Sequence, residues 1–311
     1  MAALEVKYAI IGAGAAGMAA VQAIREQDPA GTIAVFSAES DPPYFRPLIP
    51  FLISGKKDAA GMALLGVGPY PVRDFDLRLN SRVESLDPAG KTLTLAGGAV
   101  ARYEKLLLAV GSRPFIPPDI KGLDAHGVFA VRTLADARAA AALVPETERA
   151  VMLGGGLLNL KVAFALLERK VKVTLVVRSP EVLSQLMEPE DADLIRQALN
   201  RAGLEIVTGV SAVEVVADGP GVRAVLLEDG RELSCRMVCL GKGVVPGVDF
   251  VDPDQIPLER GVVVDRHTRT GAADVFAAGD AAVSFDPVSG DRVVTGLWTN
   301  AVEMGRCAGK N

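Results

Sequence analysis

Gly12-Ala13-Gly14-Ala15-Ala16-Gly17 follows the apolar run Val6-Lys7-Tyr8-Ala9-Ile10-Ile11 and precedes the alanine-rich stretch Met18–Gln27. The apolar run reads as a buried strand and the alanine-rich stretch as a helix. Asp28-Pro29-Ala30-Gly31 ends that helix, and Thr32–Phe36 reads as the next strand. The glycines therefore stand between a strand and a helix, as a phosphate-cradling turn requires. Gly12 permits the tight turn. Gly14 lets a pyrophosphate approach the backbone at the helix N-terminus, and Gly17 lets helix and strand pack closely. An acid able to accept from ribose hydroxyls is expected about 20 residues on, and Glu39, followed by Ser40, fills that place. The reading is a dinucleotide site. The alternative is a glycine-rich packing turn.

The chain of 311 residues suggests about two domains of roughly 100–200 residues each. With 33 Lys+Arg against 38 Asp+Glu the net charge is −5, which argues against a nucleic-acid partner. No apolar run approaches the roughly 18 residues of a transmembrane segment. The start carries Glu5 and no basic run, so it is not read as a signal peptide. Cys235, Cys239 and Cys307 include no C-x-x-C pair and are too few for a disulfide framework. They read as free thiols of a reducing cytoplasm, the expected location. His126 and His267 are far apart, in Gly- and Asp-rich loops, and no metal site is expected.

The opening arrangement recurs in mid-chain. Arg149–Leu153 reads as a strand, Gly154-Gly155-Gly156 as the turn, Leu157–Arg169 as a helix and Val171–Val177 as a second strand. Two such units suggest two dinucleotides and electron transfer between them. The copy departs from the first: Asn159 replaces the third glycine, and Val177 then Arg178 stand where a strand-end acid is expected. Asn159 is expected to push helix and strand slightly apart or to alter how the helix starts. A structural unit that no longer binds nucleotide is the alternative.

Between the repeats, Asp41–Pro47 is a proline-set loop carrying Arg46, whose planar fork suits phosphate or a flavin. Arg82–Leu86 and Thr92–Leu95 read as a hairpin across Asp87–Lys91, and Lys105–Val110 as a strand. Phe115–Gly122 and Gly241–Pro246 read as linkers. Val210–Val216, Val222–Leu227 and Met237–Leu240 read as short strands. Asp274–Asp280 ends a strand on small residues and presents Asp280 after Gly279. Trp298-Thr299-Asn300 then opens a helix whose positive end suits an electron-rich ring.

Together these residues resemble the pyridine nucleotide–disulfide oxidoreductase superfamily, in particular its rubredoxin, ferredoxin and nitrite reductase flavoprotein branch. The resemblance runs along nearly the whole chain. It implies FAD at Gly12, Gly14, Ala15, Ala16 and Gly17 with Glu39 and Ser40, and flavin contacts from Arg46 and Pro47 of the Tyr44-Phe45-Arg46-Pro47 loop. It places Val83 at the adenine and Ala109, Val110, Gly111 and Arg113 at the domain crossover. Gly279 and Asp280 fall at the ribityl chain, and Trp298, Asn300 and Ala301 at the pyrimidine edge. The second cofactor, NAD or NADP, falls to Gly154, Gly156, Leu157, Leu158, Arg178 and Gly241.

The implied fold class is α/β: two Rossmann-like domains, each a central parallel sheet with a helix layer and a small antiparallel β-layer. A discontinuous FAD domain would span 1–115 plus 248–311, with an NAD(P) domain inserted at 116–247. Relatives with a redox disulfide carry cysteines beside the flavin, and none stands here in the first unit or in Arg46–Phe51. Lys161 stands where members carry a glutamate facing the nicotinamide, which puts the hydride step in question. Members continue past the last helix into an interface domain, so a further domain beyond Asn311 is expected. The implied activity passes a hydride from NAD(P)H to FAD and then electrons to a small redox protein or another acceptor, without a protein disulfide. The alternative is a non-catalytic FAD-holding electron-transfer or assembly subunit with a degenerate NAD(P) site. A homo-oligomer is left open.

Overall fold

β1 (Leu4–Ile11) carries Ala9, Ile10 and Ile11 almost wholly out of solvent, the mark of a parallel strand covered on both faces. It is part of a computed structural model that describes residues 3–65, 75–184, 186–286 and 288–311. The chain divides into two compact units, one of Met1–Phe45, Met62–Arg113 and Val245–Asn311, the other of Arg46–Gly61 and Pro114–Val244. The crossovers fall a few residues before 115 and 247, the boundaries read from sequence. Arg46–Gly61, which the sequence reading assigns to the first domain, packs with the second.

In the first unit β1 leads through α1 (Ala15–Gln27) to β2 (Ile33–Phe36). Then come α2 (Ile49–Ile53), which packs in the other unit, β3 (Asp76–Arg78), β4 (Val83–Asp87), β5 (Thr92–Leu95) and β6 (Val100–Leu108). The strand order is β3-β2-β1-β6-β5-β4. The four strands from β3 to β6 run parallel, and β4, β5 and β6 continue antiparallel. The expected hairpin is β4–β5. β6 starts before Lys105 because Val100–Glu104 alternates exposed and buried residues along β5, a pattern distinct from the continuous apolar run after it.

The second unit repeats the plan. It comprises β7 (Val128–Phe129), α3 (Leu134–Leu143), β8 (Arg149–Leu153), α4 (Leu157–Glu168), β9 (Lys172–Val177), α5 (Pro189–Arg201) and β10 (Glu205–Thr208), followed by β11 (Ala212–Asp218), β12 (Gly221–Leu227), β13 (Glu232–Ser234) and β14 (Met237–Leu240). The parallel sheet has the order β10-β9-β8-β14-β7, and β11-β12-β13 form an antiparallel layer. In each sheet the order reverses at the first strand of the repeat, β1 or β8, so a crevice opens at its carboxyl end. Three helices were not read from the sequence: the short α2, α3 and α5. α3 is started by a capping box between Thr133 and Asp136. α5 has Pro189 in its first turn, Glu190 and Asp191 beside it and Arg201 in its last turn, matching the helix dipole.

The chain returns to the first unit with β15 (Val262–Val263), β16 (Val275–Ala277), β17 (Ala282–Phe285), β18 (Arg292–Val293) and α6 (Trp298–Lys310). β16 joins the main sheet parallel to β6. α6 lies on α1, and only small residues allow that approach. A Cβ on Gly305 would overlap the Ala16 carbonyl, and one on Gly309 would come within 2.7 Å of the Ala20 oxygen and the Ala23 methyl. α1 is consequently buried almost all round, by the sheet and by α6. No helix among the described residues is long and apolar enough to cross a membrane.

Gly305→Val should therefore prise α6 from α1. We expect a loss of at least about 1–3 kcal/mol, the usual cost of overpacking, read as a lower midpoint in urea unfolding. Gly221, whose φ is not positive and where a Cβ would meet only Arg236 Nη1 at 3.9 Å, serves as the control position for a glycine replacement outside the helix contact.

Candidate functional site

The first turn is held by two backbone bonds. Gly12 N donates to Phe36 O at 2.8 Å, and Ala109 N donates to Ile11 O at 2.8 Å. Gly12 has φ +109°, and a Cβ there would overlap the Ala109 carbonyl, so only glycine fits. Gly14 caps α1 without a side-chain partner, no acid stands in the first turn, and nothing lies within 4 Å of where its Cβ would be. The amides of Ala15, Ala16 and Gly17 thus open a free positive helix end onto open space, a cradle for an anion. Gly17 packs directly on the Gly12 carbonyl.

The other first-unit candidates lie mostly at strand ends and helix starts of the same unit. Glu39 follows β2, and its Oε2 accepts from Tyr44 Oη at 2.7 Å. Ser40 beside it is exposed, whereas Val83 at the start of β4 is buried. Ala109 is buried, and Val110 and Gly111 are half-buried after β6. Ser112 Oγ donates to Asp280 Oδ2 at 2.8 Å. A Cβ on Gly279 would lie 3.3 Å from that of Ala16 and 3.4 Å from that of Ala301, so the starts of α1 and α6 meet at this glycine. Trp298 stacks at a tilt on Phe45, with ring centroids 5.5 Å apart, and Asn300 Nδ2 reaches Met304 Sδ at 3.4 Å. Two other candidates have protein partners of their own. Arg113 makes a two-pronged pair with Asp249 at 2.9 and 3.0 Å, which holds that carboxyl below the usual range. Arg46 and Pro47 pack in the second unit, where Arg46 Nη1 donates to Arg132 O at 2.5 Å.

The second turn has the same wiring. Gly154 N donates to Val176 O at 2.9 Å, and Gly241 N donates to Leu153 O at 2.8 Å. Gly154 has φ +111°, and a Cβ on it would overlap the Gly241 carbonyl. Gly156 caps α4 with no side-chain partner, no first-turn acid and nothing within 4 Å of a Cβ. Leu157 and Leu158 are exposed at the helix start. Asn159 is accommodated inside the turn, in the space that Gly241 leaves open. Its side chain is buried, and Nδ2 donates to Leu153 O at 3.1 Å and Gly154 O at 2.9 Å.

Around this turn the charge is positive. Arg178 is exposed just past the buried Val177, and Lys161 is exposed on α4. Lys242, half-buried after Gly241, was not picked out from sequence, since a lysine in a glycine-rich linker looks solvated. Burial lowers its pKa, the charge of Arg178 lowers it further, and Asp119 partly offsets both. Glu181, the nearest acid, has Oε2 buried 4.0 Å from Arg196 Nε.

Two of the thiols are buried. Cys235 and Cys239 are buried in the second unit, and burial pushes both pKa values up to about 12, so they stay protonated near neutral pH. Cys307 lies on α6, about 13 Å along the axis from Trp298 at 1.5 Å per residue.

The chain is similar to known proteins along nearly its whole length. The profile of the family described as pyridine nucleotide-disulphide oxidoreductase matches residues 6–305. The epsilon subunit of NADH-dependent phenylglyoxylate dehydrogenase from Aromatoleum evansii is 32% identical over 304 residues, 97% of this chain and 71% of that protein. Rubredoxin-NAD(+) reductase from Ectopseudomonas oleovorans is 30% identical, over 94% of this chain and 76% of its own. Among solved structures, the covalent putidaredoxin reductase–putidaredoxin complex matches with a TM-score of 0.92 at 25% identity, covering 98% of this chain and 74% of the matched one.

Proposed function

The chain belongs to the pyridine nucleotide-disulphide oxidoreductase family, and from this we propose a division of labour between its two turns. The Gly12 turn holds FAD, the Gly154 turn holds NAD(P)H, and electrons leave for a small redox protein without passing through a protein thiol. The observation that carries the reading is the shared wiring of the two turns, each opening an uncapped helix start onto space that a glycine leaves clear. FAD when bound supplies the acceptor for a hydride and the donor of the electrons that follow.

The protein's part is to bind and orient. The amides of Ala15, Ala16 and Gly17 face the pyrophosphate of FAD. Glu39, fixed by Tyr44, accepts from ribose hydroxyls, with Ser40 beside it. Val83 borders the adenine. Asp280, steadied by Ser112, accepts from the ribityl chain, and Trp298, Asn300 and Ala301 bring the positive start of α6 to the electron-rich ring edge. Arg46, Pro47, Ala109, Val110, Gly111 and Arg113 complete the flavin set that the resemblance implies. Gly154, Gly156, Leu157, Leu158 and Gly241 line the second cofactor. A redox-protein acceptor is supported by the relative that acts with rubredoxin and by the reductase solved with putidaredoxin. A second reading, an FAD-holding subunit of a larger assembly, is favoured by the relative from Aromatoleum evansii, which is itself a subunit. Reduction of an artificial acceptor by NAD(P)H with the isolated chain separates the two readings: the first requires turnover, the second none.

The purified protein should be yellow with one FAD per chain. Gly14→Val should fold, because nothing lies within 4 Å of the new Cβ, yet lose the flavin and its absorbance. A yellow Gly14→Val, or a wild type that stays colourless with added FAD, contradicts the assignment.

Arg178 and Lys242 point to tolerance of NADPH at the second turn. Val177 cannot accept a hydrogen bond, Glu181 is drawn to Arg196, and a 2′-phosphate would meet two cations. Charge-assisted contacts of about 1–3 kcal/mol give roughly a ten- to hundredfold effect. Arg178→Ala and Lys242→Ala should each weaken NADPH binding about tenfold by calorimetry and leave NADH binding nearly unchanged. The Lys242 contribution is present at lower pH and lost as pH rises through its lowered pKa, because the bound phosphate favours the protonated amine. A wild type that binds NADH about a hundredfold more tightly than NADPH would refute the role of Arg178.

A further inference from the structure

The two turns differ at a pair of facing positions, and the differences compensate. In the first turn the helix side has Gly17, where a Cβ would overlap the Gly12 carbonyl, and the neighbouring strand contributes Ala109. In the second the helix side has Asn159 and the neighbouring strand contributes Gly241. A Cβ on Gly241 would overlap the Asn159 carboxamide, so the side chain gained on α4 occupies the space of the one missing after β14. The contact is polar as well as steric. The carbonyl of Gly154, counterpart of the one Gly17 packs against, accepts from Asn159 Nδ2 at 2.9 Å. Leu153 O accepts both from Gly241 N at 2.8 Å and from Asn159 Nδ2 at 3.1 Å. Asn159 is one of few buried polar side chains among the described residues, and its amide group spends its hydrogens on these two carbonyls.

We infer that Asn159 is the positioning residue of the second nucleotide site. It ties back the carbonyls of Leu153 and Gly154, so that the amides of the turn and of the α4 start stay directed outward toward a phosphate. Gly241 is glycine because that tie needs the room. This inference rests on the reading that the second turn holds NAD(P)H. It makes the loss of the third glycine an exchange that preserves the site, where the sequence alone leaves decay as the alternative.

The test uses the FAD-loaded protein and titrates NADP+ and NAD+ by calorimetry, with flavin content and unfolding midpoint measured alongside. Asn159→Ala should bind the better nucleotide about tenfold more weakly with flavin per chain unchanged, since the flavin turn belongs to the other unit. Gly241→Ala should lose more than tenfold, because its methyl displaces the carboxamide. The double variant Asn159→Gly/Gly241→Ala should recover only to the level of Asn159→Ala, since removing the carboxamide vacates the space but leaves the two carbonyls untied. A lowered unfolding midpoint with unchanged nucleotide affinity in Asn159→Ala indicates packing alone and overturns the inference. So does a double variant no better than Gly241→Ala, a comparison that also serves if Asn159→Ala does not fold. A wild type that binds neither nucleotide overturns the reading of the second turn and this inference with it. Binding by the wild type with no loss in the variants overturns this inference alone.

Discussion

The tightest constraint in the chain is the passage of a backbone turn between a helix and the carbonyl at the end of a neighbouring strand. At Gly12 and at Gly154 the turn hydrogen-bonds to the next strand of the repeat on one side. On the other side it leaves no space for a Cβ against Ala109 or Gly241. This fixes where each helix starts and leaves its first amides without protein partners. A helix end with free amides and a free dipole is an anion site before any side chain contributes. The strand order of both sheets puts that end at the crevice where the order reverses. In the proposed function nucleotide binding is thus a consequence of backbone packing, and the side chains around each turn select among nucleotides.

Selection differs between the two turns. At the first, carboxylates dominate: Glu39 is held by Tyr44 and Asp280 by Ser112, and both are acceptors suited to hydroxyls. At the second, Arg178 and Lys242 replace a strand-end acid, and burial of Lys242 makes an added anion favourable. A repeat that keeps its backbone and reverses the sign of its rim can hold two nucleotides of different chemistry. Passing electrons between them then needs no residue acting as acid or base, which accords with the histidines lying outside both turns.

Much of this was legible in the sequence, because glycine spacing and apolar runs report directly on turns and buried strands. β1, α1, the β4–β5 hairpin, α4, β9 and β14 are all visible that way. α5 was missed because its signal is polar: a first-turn proline and flanking charges, with little apolar periodicity. The short strand Asp76–Arg78 was missed because three residues carry no pattern. The membership of Arg46–Gly61 in the second unit depends on tertiary packing of α2 against α3 and α4, which local sequence does not encode. The accommodation of Asn159 was missed for the same reason. Its steric cost is readable at once, but the compensating glycine at 241 lies on another strand and is connected to it only by the fold.

In the proposed function hydride from a nicotinamide nucleotide reaches a flavin in this one chain, and no protein thiol shares the electrons. An anaerobic titration of the FAD-loaded protein with NADPH, following flavin absorbance, tests it most directly. The account predicts complete bleaching at one equivalent of NADPH per flavin, with the same end point after alkylation of the cysteines. No bleaching with either NADPH or NADH, or an end point near two equivalents that falls to one on alkylation, would contradict it.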